Sequence, residues 1–160
     1  MSAIRSTKNL MKEAFPSLWL RWHLMHRPKS AEIELSFLRR IVPQGAVAID
    51  VGANCGLYTR ELAQVSRCVP AFEPSHAMAN VLRQTSAGNV RVHEVALSDR
   101  EGYAELFVPS GESGPVHGLA SIEPQSDLLS KPGLTTSVPT ARLDDFVNDV
   151  VAFVKLDVDG

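Results

Sequence analysis

Cysteine is scarce in this chain: Cys55 and Cys68 are the two among 160 residues. Two thiols at these places build neither a disulfide framework nor a metal cluster, and they suit a reducing cytoplasm. Long apolar runs are missing too, so no stretch reaches membrane-spanning length. The N-terminus lacks the uninterrupted apolar core and small-residue cleavage site of a secretory signal. No sign of charge dominates: 16 Lys/Arg stand against 18 Asp/Glu, a net charge of −2. That balance gives no reason to expect nucleic acid as the main partner. No internal repeat is visible. What remains is ordinary globular composition, 44% hydrophobic and 21% charged, with enough chain to bury one core. The charge is unevenly spread. Residues 1–40 hold eight Lys/Arg and three Asp/Glu, so the excess of acid lies in the remaining 120.

Residues 1–28 read as a basic helical leader, and residues 29–160 as the main domain. Met11, Phe15, Leu18, Trp22 and Met25 recur at helical spacing, with a break at Pro16. The stripe is open between packing on the domain or a partner and, with Trp19, Arg21, Arg27 and Lys29, touching a membrane. A further helix is predicted over about Ala31 to Ile41, stopped by Pro43 and Gly45. Strand and helix signals then alternate. Strands are predicted at Val47–Val51, Val69–Phe72 and Val90–Leu97, with helices after the first two, the second capped by Ser75. Tyr103–Val108 alternates like a strand and is expected to form a hairpin with Val90–Leu97. The Gly/Ser/Pro-rich residues 109–137 read as a long mobile loop. A short strand at Val138–Leu143, a short helix at Leu143–Val150 and a fourth strand at Phe153–Leu156 complete the pattern. Apolar runs joined by helical crossovers predict an α/β, doubly wound, Rossmann-like sheet preceded by helices.

The most informative stretch is Asp50-Val51-Gly52-Ala53-Asn54-Cys55-Gly56. It joins the first strand to its helix. Gly52 and Gly56 can take backbone conformations closed to other residues and let a ligand approach the main chain. Asn54 tolerates a left-handed conformation. Glu73 ends the second strand, where this fold class holds ribose hydroxyls. Its two carboxylate oxygens can accept from two adjacent hydroxyls. Two acids, a glycine turn and no basic residue in the loop point away from phosphate. They point toward S-adenosylmethionine. The competing reading, a nicotinamide-dependent oxidoreductase, shares the topology, but the loop lacks the Gly-x-Gly-x-x-Gly pyrophosphate signature.

Several motifs occur in order: Ala48-Ile49-Asp50-Val51-Gly52-Ala53-Asn54-Cys55-Gly56-Leu57-Tyr58-Thr59, Ala71-Phe72-Glu73-Pro74, Val95-Ala96-Leu97-Ser98-Asp99, Arg142-Leu143-Asp144-Asp145 and Phe153-Val154-Lys155-Leu156-Asp157-Val158-Asp159-Gly160. Over residues 46–160 this set resembles the FkbM family of S-adenosylmethionine-dependent methyltransferases. Asp159 stands where that family usually has Glu. The resemblance implies a class I methyltransferase fold and O-methylation of a hydroxyl on a sugar, polyketide or other natural product. It implies that the glycine turn cradles the methionine end of the cofactor, with Asp50 near its ammonium.

The roles of the remaining candidates stay open. Ala96 lies in the region that contacts adenine in related folds, and Asp99 is either a partner of the adenine amino group or a turn residue. Asp157 is either the base that takes the hydroxyl proton or a structural cap. His117 is either a base from the loop or a solvated side chain. Lys155 either pairs with an acid or reaches the surface. No metal is expected, because Asp157-Val158-Asp159-Gly160 lacks the spaced ligands of a calcium loop. The fourth strand is expected to be an open apolar edge. The chain therefore reads as a methyltransferase truncated after strand four, prone to self-association, or as a non-catalytic cofactor-binding fragment.

Overall fold

The computed structural model describes residue 15 and residues 29–111, 114–122, 127 and 130–157. The leader other than the exposed Phe15, and Val158, Asp159 and Gly160, lie outside the described residues. Helix α1 spans Lys29–Ile41, with Arg39 and Arg40 in its last turn, where the carbonyl ends favour cations. Pro43 and the left-handed Gly45, at φ 72°, turn the chain into strand β1, Val47–Val51. Helix α2 is Leu57–Ala63, β2 is Val69–Phe72, α3 is His76–Thr85 and β3 is Val90–His93. Strand β8, Val151–Leu156, returns from later in the chain to the other side of β1.

These strands form one parallel sheet in the order β3-β2-β1-β8. It is the α/β, class I methyltransferase arrangement expected from the sequence. β1 and β2 are buried along their whole length, which is why they read as continuous apolar runs. Side chains alternate between the two faces. Ala48, Val69 and Ala71 face the helices, packing with Leu35 and Leu38 of α1, Leu62 of α2 and Leu82 of α3. Ile49, Val51 and Phe72 face the other way, against Val95, Ala141, Leu143 and Val147. The register sets Asp50 opposite both Ala71 and Lys155, so these charged groups meet at the carboxyl end of the sheet.

A second sheet, in the order β4-β7-β5-β6, is made by β4 (Ala96–Leu97), β5 (Gly102–Gly111), β6 (Gly114–Pro115) and β7 (Gly133–Ala141). Four sequence expectations change here. The predicted third strand divides: β3 stops at His93, Glu94 turns aside to His76 and Arg83, and Val95 enters the apolar cluster. The long hairpin is β5 with β7, from Gly102 opposite Thr140 to Pro109 opposite Gly133, rather than β3 with β5. Much of the supposed loop 109–137 is therefore strand, with a 3-10 turn at His117–Leu119. Its β-branched threonines suit a pleat, but β7 is exposed from Gly133 to Ser137 and shows no inward apolar alternation there. The helix expected at Leu143–Val150 is a single 3-10 turn, Leu143–Asp145.

Candidate active site

The turn after β1 has three residues in the left-handed region: Gly52 at φ 70°, Asn54 at 50° and Gly56 at 91°. Gly52 and Ala53 both donate their N–H to Phe72 O at 3.0 Å, which knits the turn to the end of β2. Gly56 begins α2, and a Cβ there would lie 2.5 Å from Leu82 Cδ1. Its bareness lets α3 approach.

Glu73 is buried directly after β2. Its Oε2 accepts from the Asn54 N–H at 2.7 Å, and its Oε1 accepts from the Ser75 N–H at 2.8 Å. Each oxygen keeps a further lone pair for a ligand hydroxyl. Burial pushes this carboxyl above the usual range, and the two N–H groups partly pull it back. Asp50 is fully buried. Its Oδ2 accepts from Thr59 Oγ1 at 2.6 Å, and Lys155 Nζ stands 3.1 Å from its Oδ1. That second contact is an ion pair without the alignment of a good hydrogen bond. Desolvation raises the Asp50 carboxyl, while Lys155 and Thr59 oppose the rise.

A cavity of about 290 Å³ opens over the carboxyl ends of these strands. The parallel sheet and its loops supply Gly52, Asn54, Glu73 and Asp157 to the lining, and the second sheet with its turns supplies Ala96, Leu97, Ser98, Leu106, His117 and Ile122. No Lys or Arg is among the described lining residues. The cavity sits where open α/β sheets bind ligands. Of the sequence candidates, it gathers Gly52, Asn54, Glu73, Ala96, His117 and Asp157. Asp50 and Gly56 do not line it. Asp50 lies on the helical side, held by Thr59 and Lys155, and Gly56 is spent on helix packing. Asp99 is an exposed turn residue that accepts from Ser98 Oγ at 3.2 Å and faces Arg100.

Ser75 does not use its side chain as a helix cap. Its hydroxyl instead meets His117 Nδ1 at 3.1 Å, tying the 3-10 turn of the second sheet to the loop that bears Glu73. Gly118 lies against the glycine turn, where a Cβ would come 3.8 Å from Asn54 Nδ2. The apolar wall from Leu106 and Ile122 was missed from sequence, because nothing local says that these residues fold back over β2. Thr59 was missed as a partner of Asp50. Its place three residues after Gly56, on the buried face of α2, was the available signal.

The chain matches the methyltransferase FkbM domain over residues 50–160. No curated protein matches it. Among solved structures, it is similar to a putative methyltransferase, SMU.1697c from Streptococcus mutans, in complex with SAH. Identity there is 24%, over 44% of this chain and 41% of that one, with a TM-score of 0.38. It is also similar to SAM-bound CalS10, an amino pentose methyltransferase from Micromonospora echinaspora. That match has 24% identity over 46% of this chain and 32% of the other, with a TM-score of 0.36. A putative methyltransferase from an antibiotic biosynthesis pathway of Anabaena variabilis is 30% identical over 39% of this chain and 25% of its own, with a TM-score of 0.32. The matched part is less than half of each of these structures.

S-adenosylmethionine is the cofactor. The residues present fit it. Glu73 has acceptor capacity for a ribose, the left-handed turn leaves room at Gly52, and the lining carries acid without a phosphate-binding base.

Proposed function

Because the chain belongs to the methyltransferase FkbM domain family, we propose that it methylates a hydroxyl oxygen on a sugar, polyketide or other natural product. The single observation that carries this reading is the acid at the cavity rim. Asp157 lines the cavity while its side chain remains 72% exposed, open to an incoming acceptor. The cofactor supplies a methyl already activated by its sulfonium charge. The chain's own work is alignment and proton removal. Glu73 holds the ribose through its two oxygens. Gly52 and Asn54 shape the seat of the methionine end, with Asp50 acting from behind the turn. Asp157 accepts the hydroxyl proton, and His117, also in the cavity lining, is the alternative acceptor. A bound cofactor would supply the methyl to that oxygen and keep the bond's electron pair on its sulfur, while the proton would pass to the chain's acid.

The acceptor is a small molecule or glycan rather than nucleic acid, since no Lys or Arg is among the described lining residues. Cys55 and Cys68 are not joined in a disulfide, which suits the cytoplasm. No described helix is long and apolar enough to cross a membrane. Self-association is expected at β8, the end strand of the described sheet, where Val154 and Leu156 are exposed. The test is incubation with S-adenosylmethionine and a panel of polyols, glycosides and amines, followed by mass analysis of the products. Methyl ethers formed by the unaltered chain and lost in Asp157→Asn support the reading. Methylation confined to nitrogen would overturn it.

A further inference from the structure

Lys155 has no part in the proton transfer above, yet its side chain is only 10% exposed and its ammonium reaches four groups. It donates to Gly52 O at 3.0 Å and to Val51 O at 3.4 Å. It stands 3.1 Å from Asp50 Oδ1 and 3.4 Å from Asp157 Oδ2. It also lies 4.9 Å from the centre of the Tyr58 ring. We propose that Lys155 is the positioning residue of the cofactor turn, fixing the two peptide planes at Val51–Gly52 and Gly52–Ala53 without itself lining the cavity.

Both ends of each plane are held. In the first, Val51 O accepts from Lys155 and from the Asp157 N–H at 3.2 Å, while the Gly52 N–H donates to Phe72 O at 3.0 Å. In the second, Gly52 O accepts from Lys155, while the Ala53 N–H donates to Phe72 O at 3.0 Å. A glycine in the left-handed region has alternative conformations open to it. A charged donor on its carbonyl removes that freedom before a ligand arrives. Rigidity of this kind raises affinity by lowering the ordering cost of binding. A methionine or leucine at this place in β8 would pack on Tyr58 but hold neither carbonyl. The ammonium also balances the buried Asp50, a second duty that the test must separate from the first.

The inference rests on the cofactor reading of the turn. The experiment is titration of S-adenosylhomocysteine by calorimetry, with thermal melting of each protein. Five chains are compared: the unaltered chain, Lys155→Met, Asp50→Asn as the reference for the double variant, the charge-balanced double variant Asp50→Asn/Lys155→Met, and Lys155→Arg. Lys155→Met alone leaves a buried carboxylate unpartnered and is expected to melt earlier. The double variant is expected to recover the melting temperature yet bind about tenfold more weakly than Asp50→Asn alone, or worse, the loss of a hydrogen bond from a charged donor. Lys155→Arg keeps the charge but not the single-atom reach to Gly52 O, and is expected to stay folded with weakened binding. Full affinity in either of these last two proteins would overturn the positioning role. Absence of binding by the unaltered chain would instead overturn the cofactor reading, and this inference with it.

Discussion

The parallel sheet and the antiparallel sheet build two walls of one cavity with different physical means. β1 and β2 are buried throughout, with Glu73 after β2 tied to main-chain N–H groups and Asp50 in β1 held by Thr59 and Lys155. β7 is exposed over its first five residues, and β5 is buried only from Leu106 to Pro109. The first wall is a floor whose hydrogen bonds exist before any ligand binds. The second is a flap, joined to that floor near the cavity by the contact of His117 with Ser75. We propose that the floor sets cofactor affinity and that the flap sets access and the seat of the acceptor.

The sharpest way to break the floor is Gly52→Val. At φ 70° a β-branched residue is strained, at a cost of about 1–3 kcal/mol, and its methyl groups occupy the cofactor's approach. S-adenosylhomocysteine binding is expected to vanish while circular dichroism keeps its helical signal. Normal titration would make the turn a mere connection. Glu73→Ala comes next. It should weaken binding by about 1.5–3 kcal/mol, the range for hydrogen bonds to a charged group. Unchanged affinity in a folded variant would remove Glu73 from the site.

The flap should answer more mildly. His117→Ala is expected to cost cofactor affinity no more than about 0.5–1.5 kcal/mol, one ordinary hydrogen bond. It should speed amide exchange across residues 114–122. An affinity loss equal to that of Glu73→Ala would erase the distinction between the two walls.

The smallest effect is in pH. Burial raises both Asp50 and Glu73. A carboxyl with a folded value above its unfolded one holds more protons in the native state. Its stabilising contribution is full below the ordinary carboxylate range and is lost as pH rises through the raised value. Ribose hydroxyls and a cationic cofactor favour the ionised form, so affinity should rise with pH across that window. Binding should also release protons, measurable by calorimetry in buffers of different ionisation heat. Proton uptake would contradict the placement of these acids.

The floor was legible in the sequence because each part has a local cause. Val47–Val51 and Val69–Phe72 are buried on both faces, so their apolar character is continuous, and Gly52, Asn54 and Gly56 mark where the backbone turns left-handed. The flap was not legible. Thr135, Thr136 and Ser137 pair within a strand but bury nothing, and Pro139 sits in β7 beside β4, whose ladder reaches only Thr140 and Ala141. The meeting of His117 with Ser75 spans 42 residues and has no local signal. Lys155 was visible as a charge inside a strand, but its partners follow from the register with β1 alone.

The most direct test of the central claim, that Glu73 holds the cofactor ribose, pairs a change in the protein with a change in the ligand. S-adenosylhomocysteine and an analogue lacking both ribose hydroxyls are titrated into the unaltered chain and into Glu73→Ala. The unaltered chain is expected to prefer the complete ligand by about 1.5–3 kcal/mol, and the variant to show almost no preference. An equal preference in both proteins would contradict the claim and place the ribose elsewhere.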